Sequence, residues 1–168
     1  MKSVDGQTLS GNSLTCGHEL NCSFFHSRLP ASDQSTLLLT NLKIMQFINM
    51  SVLFHENFQA VKPHLPLFTY DAVTDDYVLK ILQDLKQLKL DQTETMLLTS
   101  ISLFNQMFLT VDSTQEIQGV EEGFREMLYR YLRSMNALWK WKELTKIMSL
   151  LQNAGALVSK RSLELKPL

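Results

Sequence analysis

Between Pro66 and Pro167 the chain contains no proline, and between Pro66 and Gly119 no glycine either. Proline locks φ and removes a backbone donor, so a hundred-residue stretch without it is open to helix throughout. Apolar residues recur along it at helical spacing. Thr74, Asp75 and Asp76 open one helix, whose stripe is Tyr77, Val78, Ile81, Leu82, Leu85 and Leu88. Asp91, with Glu94 three residues on, is a capping-box start for a second over Met96 to Leu109, apolar at Leu97, Leu98, Ile101, Phe104 and Phe108. Ser113 and Glu116 repeat the pattern for a third. Its expected inner face is Ile117, Val120, Phe124, Met127, Leu128, Tyr131 and Met135, with Glu121–Arg125 and Glu126–Arg130 as outer i,i+4 pairs. The last helix is expected from about Ala137 to Lys160. Leu144, Ile147, Met148, Leu151 and Val158 face inward there, while Trp141, Leu150 and Leu157 widen the apolar sector toward a second chain.

Upstream, Leu37 to Phe54 is the most apolar run, opened by Asp33 and Gln34 with Ser32 as N-cap. Thr40, Asn41, Lys43, Gln46 and Asn49 interrupt it, so it reads as a buried core helix rather than a membrane span. Pro63 and Pro66 forbid helix between Phe54 and Tyr70, where a short β-hairpin is expected. Residues 1–21 carry three of the six glycines among Ser, Asn and Thr and read as a leader, which leaves residues 22–168 as one nearly all-α domain.

Chemistry is sparse in this sequence. Sixteen basic against seventeen acidic residues, with no basic block, give no footprint for direct nucleic-acid contact. Two cysteines, Cys16 and Cys22, cannot form a four-thiolate zinc site and read as reduced thiols, which favours an intracellular protein without metal. None of His18, His26, His55 and His64 pairs with a second metal ligand at helical spacing, Asp75–Asp76 and Glu121–Glu122 read as solvent-facing, and no phosphate loop or nucleophile motif occurs. The expectation is a protein that is not an enzyme, holds no cofactor and has no membrane partner. The middle of the apolar run is soft, however. Met45, Phe47, Ile48, Met50 and Phe54 are the candidate pocket residues, able either to fill a core or to line an adaptable cavity for a small lipophilic ligand.

The stretch from Phe25 through Leu29, Asp33, Gln34, Leu37 and Leu38 resembles the signature of nuclear receptor ligand-binding domains. Later segments follow the same family's order: Leu88 to Phe104 looks like its seventh and eighth helices, Glu121 to Leu132 like its ninth, and Trp141 to Val158 like its long dimer-forming helices. The resemblance implies a layered helical sandwich whose central layer holds the helix after Asp33, covered on both sides. It also implies a groove, at Gln34, Leu37 and Leu38, for Leu-x-x-Leu-Leu coregulator helices, and a receptor homo- or heterodimer through Trp141, Leu150 and Leu157.

Three departures accompany it. Leu20 stands where the family has a clamping Lys, Ile44 stands where many members have a buried Glu, and nothing resembles the first helices or the activation helix. The implied function is regulation of transcription in the nucleus, or between cytoplasm and nucleus, by a domain that binds a lipophilic ligand, a coregulator or a partner receptor. The alternative is a ligand-independent dimerisation module whose pocket is filled by side chains.

Overall fold

The computed structural model describes residues 29–53, 72–106 and 111–164, and among them every regular element is a helix, with no strand. The helices are α1 (Ala31–Leu53), α2 (Ala72–Gln87), α3 (Gln92–Leu103), α4 (Thr114–Ser134) and α5 (Trp139–Glu164). The all-α class is therefore as expected. The leader, Phe25, the four histidines, Phe54, Phe108 and the hairpin region near 54–70 lie outside the described residues.

Helix ends follow local chemistry, not always at the expected residue. The Gln34 N–H donates to the Pro30 carbonyl at 3.0 Å, so α1 starts at Ala31 and Ser32 sits inside it rather than capping it. At α3 the capping box is complete: the Glu94 N–H donates to Asp91 Oδ1 at 2.8 Å, and the Asp91 N–H to Glu94 Oε2 at 2.9 Å. That helix stops at Leu103, short of the expected Leu109, with Phe104 as C-cap. Ser113 is the N-cap of α4, but its side chain makes no capping bond, so the second capping box does not form.

Burial then sorts the stripes. In α2, Val78, Ile81, Leu82, Leu85 and the following Leu88 are buried, and the inward set of α5 is buried as expected. The stripe of α4 is narrower than drawn. Ile117, Phe124, Leu128 and Leu132 are its buried residues, whereas Met127 and Met135 are exposed. At 100° per residue Met127 is rotated one step toward solvent from Leu128, and Leu132, four residues on, continues the inner row. The Arg130–Glu126 pair, at 2.7 Å, is exposed and contributes a few tenths of a kcal/mol. Glu121 is not simply solvent-facing: it is mostly covered, holds Arg125 at 2.7 Å and accepts from the Asn105 amide at 3.3 Å.

The central element is α1, which packs on α3, α2 and α5. Helix α3 in turn carries α4, α2 lies along α5, and α4 and α5 touch only lightly. Leu37, Phe47 and Ile48 of α1 meet Leu98, Ile101, Leu82 and Leu151 in one continuous core, where each such side chain contributes about 1.5–3 kcal/mol of apolar burial. Phe104 stacks on Phe124, centroids 5.8 Å apart. Leu38, Leu39, Leu42 and Val52 of α1 are nevertheless exposed.

One close approach explains a glycine. A Cβ on Gly155 of α5 would lie 2.7 Å from Ile44 Cγ1 and 3.0 Å from its Cδ1. Overpacking typically costs about 1–3 kcal/mol, against about 1 kcal/mol of helix propensity gained by replacing glycine. Gly155→Ala is thus expected to destabilise by up to about 2 kcal/mol in the native sequence and to stabilise once Ile44→Ala has removed the obstructing atoms. Urea midpoints of the two pairs would show the reversal; the same sign in both backgrounds would refute the contact.

Candidate functional site

The start of α1 is tied down by a long-range contact. Asp33, in its first turn and buried, accepts from the Ser113 N–H at 3.0 Å and the Asp112 N–H at 3.3 Å, bonding the start of α1 to the start of α4. Burial alone would raise the Asp33 carboxyl. The Ser113 backbone and hydroxyl donors and the Asp112 N–H outweigh it and hold the carboxyl below the usual carboxylate value.

A depressed folded-state pKa adds stability above the unfolded value of about 3.9, and that stability is lost as pH falls through the lower folded value. Urea midpoints measured from about pH 6 to pH 3 should fall more steeply for the native chain than for Asp33→Asn. Parallel curves would mean that the carboxylate does not hold this junction.

Beside that clamp, the Gln34 amide donates to the Leu29 carbonyl at 2.8 Å, which fixes its half-buried side chain. Leu37 points into the core, while Leu38 is 45% and Leu39 73% exposed, with Leu42 exposed one turn after Leu38. The three expected groove residues therefore divide. Leu37 is buried in the core, Gln34 is half-buried and Leu38 belongs to the exposed apolar strip.

Of the candidate pocket residues, Phe47, Ile48 and Met50 are buried in the core and Met45 is half-buried. Near them Gln46 carries a buried Oε1 that finds no hydrogen-bond partner among the described residues. Sequence reasoning treated Gln46 only as an interruption of the apolar run. A shallow pocket of about 140 Å³ opens between Ser51 and Val52 of α1 and Leu85, Lys86, Lys89 and Leu90.

The expected dimer residues also separate. Trp141 packs edge-on against Tyr129 of α4, centroids 5.4 Å apart at 83°, beside an open cleft of about 350 Å³ lined by Glu122, Arg125 and Glu126. Leu150 is half-buried, and Leu157, 48% exposed, lies about 160° around α5 from Trp141. The tryptophan that shares the Leu157 face is Trp139, 64% exposed and eighteen residues, or five full turns, before it. Its outward position was readable from that spacing.

No family model and no curated protein matches this chain. Among the described residues no cluster of His, Cys, Asp and Glu could hold a metal ion, and no helix is long and apolar enough to cross a membrane.

The polar contacts that organise the site were largely invisible in the sequence. Lys140 of α5 holds Glu94 at 2.8 and 2.9 Å, both side chains mostly covered. The Tyr131 hydroxyl donates to Asp91 Oδ2 at 2.9 Å, and burial followed by that bond raises its pKa. The Asn41 amide donates to the carbonyls of Leu103 and Asn105.

Proposed function

We propose that the chain is a regulatory interaction domain of the nuclear receptor ligand-binding type. It receives a coregulator helix, a small lipophilic molecule or a partner receptor, and so influences transcription in the nucleus. The observation that carries this reading is the start of α1, where an anchored Asp33 and a fixed Gln34 flank the exposed apolar strip of Leu38, Leu39 and Leu42. A short amphipathic helix buries its leucines against such a strip and its polar face remains in water. The packing of α3, α2 and α5 all on α1 makes it a central element, as a layered sandwich requires. The buried Gln46 Oε1, one turn beyond Leu42, offers an acceptor that a ligand hydroxyl would satisfy.

The alternative is a ligand-independent dimerisation module. Its support is the complete burial of Phe47 and Ile48, which fill the middle of α1 with side chains, and the exposed Trp139–Leu157 face of α5.

Binding of a labelled Leu-x-x-Leu-Leu peptide, read by fluorescence anisotropy, tests the interaction. Leu38→Asp is expected to weaken it roughly tenfold or more, with thermal stability retained. Absence of peptide binding, or equal binding by Leu38→Asp, would remove the coregulator reading. Thermal shifts with sterols, fatty acids and retinoid-like lipids separate the two forms, since a ligand bound to the native state raises the melting temperature by mass action. No shift with any of them leaves the dimerisation module.

A further inference from the structure

A second surface, remote in kind from the apolar start of α1, lies at the corner where α4 turns into α5. From Met127 to Lys142 the chain carries Arg130, Arg133, Lys140 and Lys142 and no acidic residue. Arg130 is held by Glu126 and Lys140 by Glu94, which leaves Arg133 and Lys142 as exposed cations on the two sides of the corner. Between these cations the corner exposes Met135, Leu138 and Trp139.

The corner is built to hold its shape. Asn136 takes a left-handed φ of 54°, the Ala137 N–H donates to the Leu132 carbonyl at 2.8 Å, and the N–H groups of Lys140 and Trp141 donate to Ala137 and Leu138 at 2.9 and 3.0 Å. The apolar residues are thus presented on a braced turn rather than on a frayed end.

We propose that this corner docks an acidic, apolar segment of a partner protein. Such a segment would set carboxylates against Arg133 and Lys142 and apolar side chains against Trp139, Leu138 and Met135. Trp and Arg are the residue types most enriched among interface hot spots, and complementary charge sets orientation and association rate. The acidic residues around the corner limit how the segment lies. Glu122 and Glu126 line the cleft behind Trp141, and Glu143 is exposed beside Lys142, so an acidic segment is repelled along the cleft and crosses the corner instead. Glu143, exposed beside Lys142, also disfavours a broad anionic lipid surface more than a narrow peptide. The surface involved is small, which fits a transient contact of low affinity and marked salt dependence.

The test uses the whole chain and a labelled synthetic peptide of alternating Asp or Glu with Leu and Phe. A second peptide has every acid replaced by its amide, and phosphatidylserine–phosphatidylcholine vesicles form a third arm. Anisotropy should show binding of the acidic peptide that weakens as salt is raised, and little binding of the amide version. Trp139→Ala, and separately Arg133→Glu with Lys142→Glu, should each weaken it roughly tenfold. Lys80→Glu, an exposed charge elsewhere on α2, should change it less than about twofold. All these positions are surface-exposed, and circular dichroism melts confirm that each variant is folded. Loss of the proposal follows if the acidic peptide does not bind. It follows equally if the corner variants bind as well as the native chain, or if the chain sediments with the vesicles while ignoring the peptide.

Discussion

Replacing Lys140 with methionine is expected to cost about 3–5 kcal/mol, the usual range for leaving a buried ion without its partner. The Glu94 side chain is 2% exposed, and its two oxygens lie 2.8 and 2.9 Å from the Lys140 ammonium. Glu94 is also the third residue of the α3 capping box, where Oε2 accepts from the Asp91 N–H. Removing Lys140 therefore strands a carboxylate that cannot turn to water without breaking the cap. Glu94→Gln is a gentler change, expected to cost about 1–2 kcal/mol. Glutamine can still serve the capping box, and the less deeply covered Lys140 can reach solvent. The measurement is urea unfolding of both variants and the double mutant, whose coupling energy isolates the pair. Equal losses from the two single changes would show that burial of Glu94 does not govern this contact.

The same pair shows what a single sequence can and cannot reveal. Glu94 was readable as half of a capping box because its partner lies three residues away, and Glu121–Arg125 and Glu126–Arg130 were readable because helical geometry places them side by side. Lys140 lies forty-six residues from Glu94, and nothing local marks it. Asp33 is similar: its place in the first turn of α1 was legible, but its bonds cross about eighty residues to the start of α4. Periodicity had the same limit. It placed the cores of α2 and α5 correctly, each of which packs both on the other and on α1. It drew the α4 stripe too wide, because Met127 and Met135 are apolar without being inward and only packing on α3 decides between Met127 and Leu132. On α5 it offered Trp141 as a partner-facing residue, whereas contact with Tyr129 holds that ring against α4 and leaves Trp139 outside. At the candidate site, composition marked α1 as apolar all round. Which side stays exposed depends on where α2, α3 and α5 settle.

Asn41→Leu is expected to cost about 1–3 kcal/mol although it makes α1 more apolar and keeps the branching of the side chain. Asn41 is 3% exposed, and its amide donates to the Leu103 carbonyl at 2.9 Å and the Asn105 carbonyl at 3.0 Å. The Leu103 carbonyl belongs to the last turn of α3 and has no partner within that helix, so Asn41 serves as its C-terminal cap from another element. A leucine leaves the Leu103 carbonyl without this donor, at about 1–3 kcal/mol before relaxation, and takes one donor from the Asn105 carbonyl. Asn41→Asp gives the test a sign. An ionised carboxylate facing two carbonyl oxygens is repelled, but a protonated one can donate to one of them, so the folded-state pKa of the new acid lies above its unfolded value. The variant should then gain stability, relative to the native chain, as pH falls toward the unfolded carboxyl value, opposite in direction to the loss carried by Asp33. Hydrogen exchange at Leu103, Phe104 and Asn105 would locate the effect, with faster exchange in both variants than in the native chain. Unchanged exchange there, together with a loss below about 1 kcal/mol for Asn41→Leu, would mean that these carbonyls find other donors.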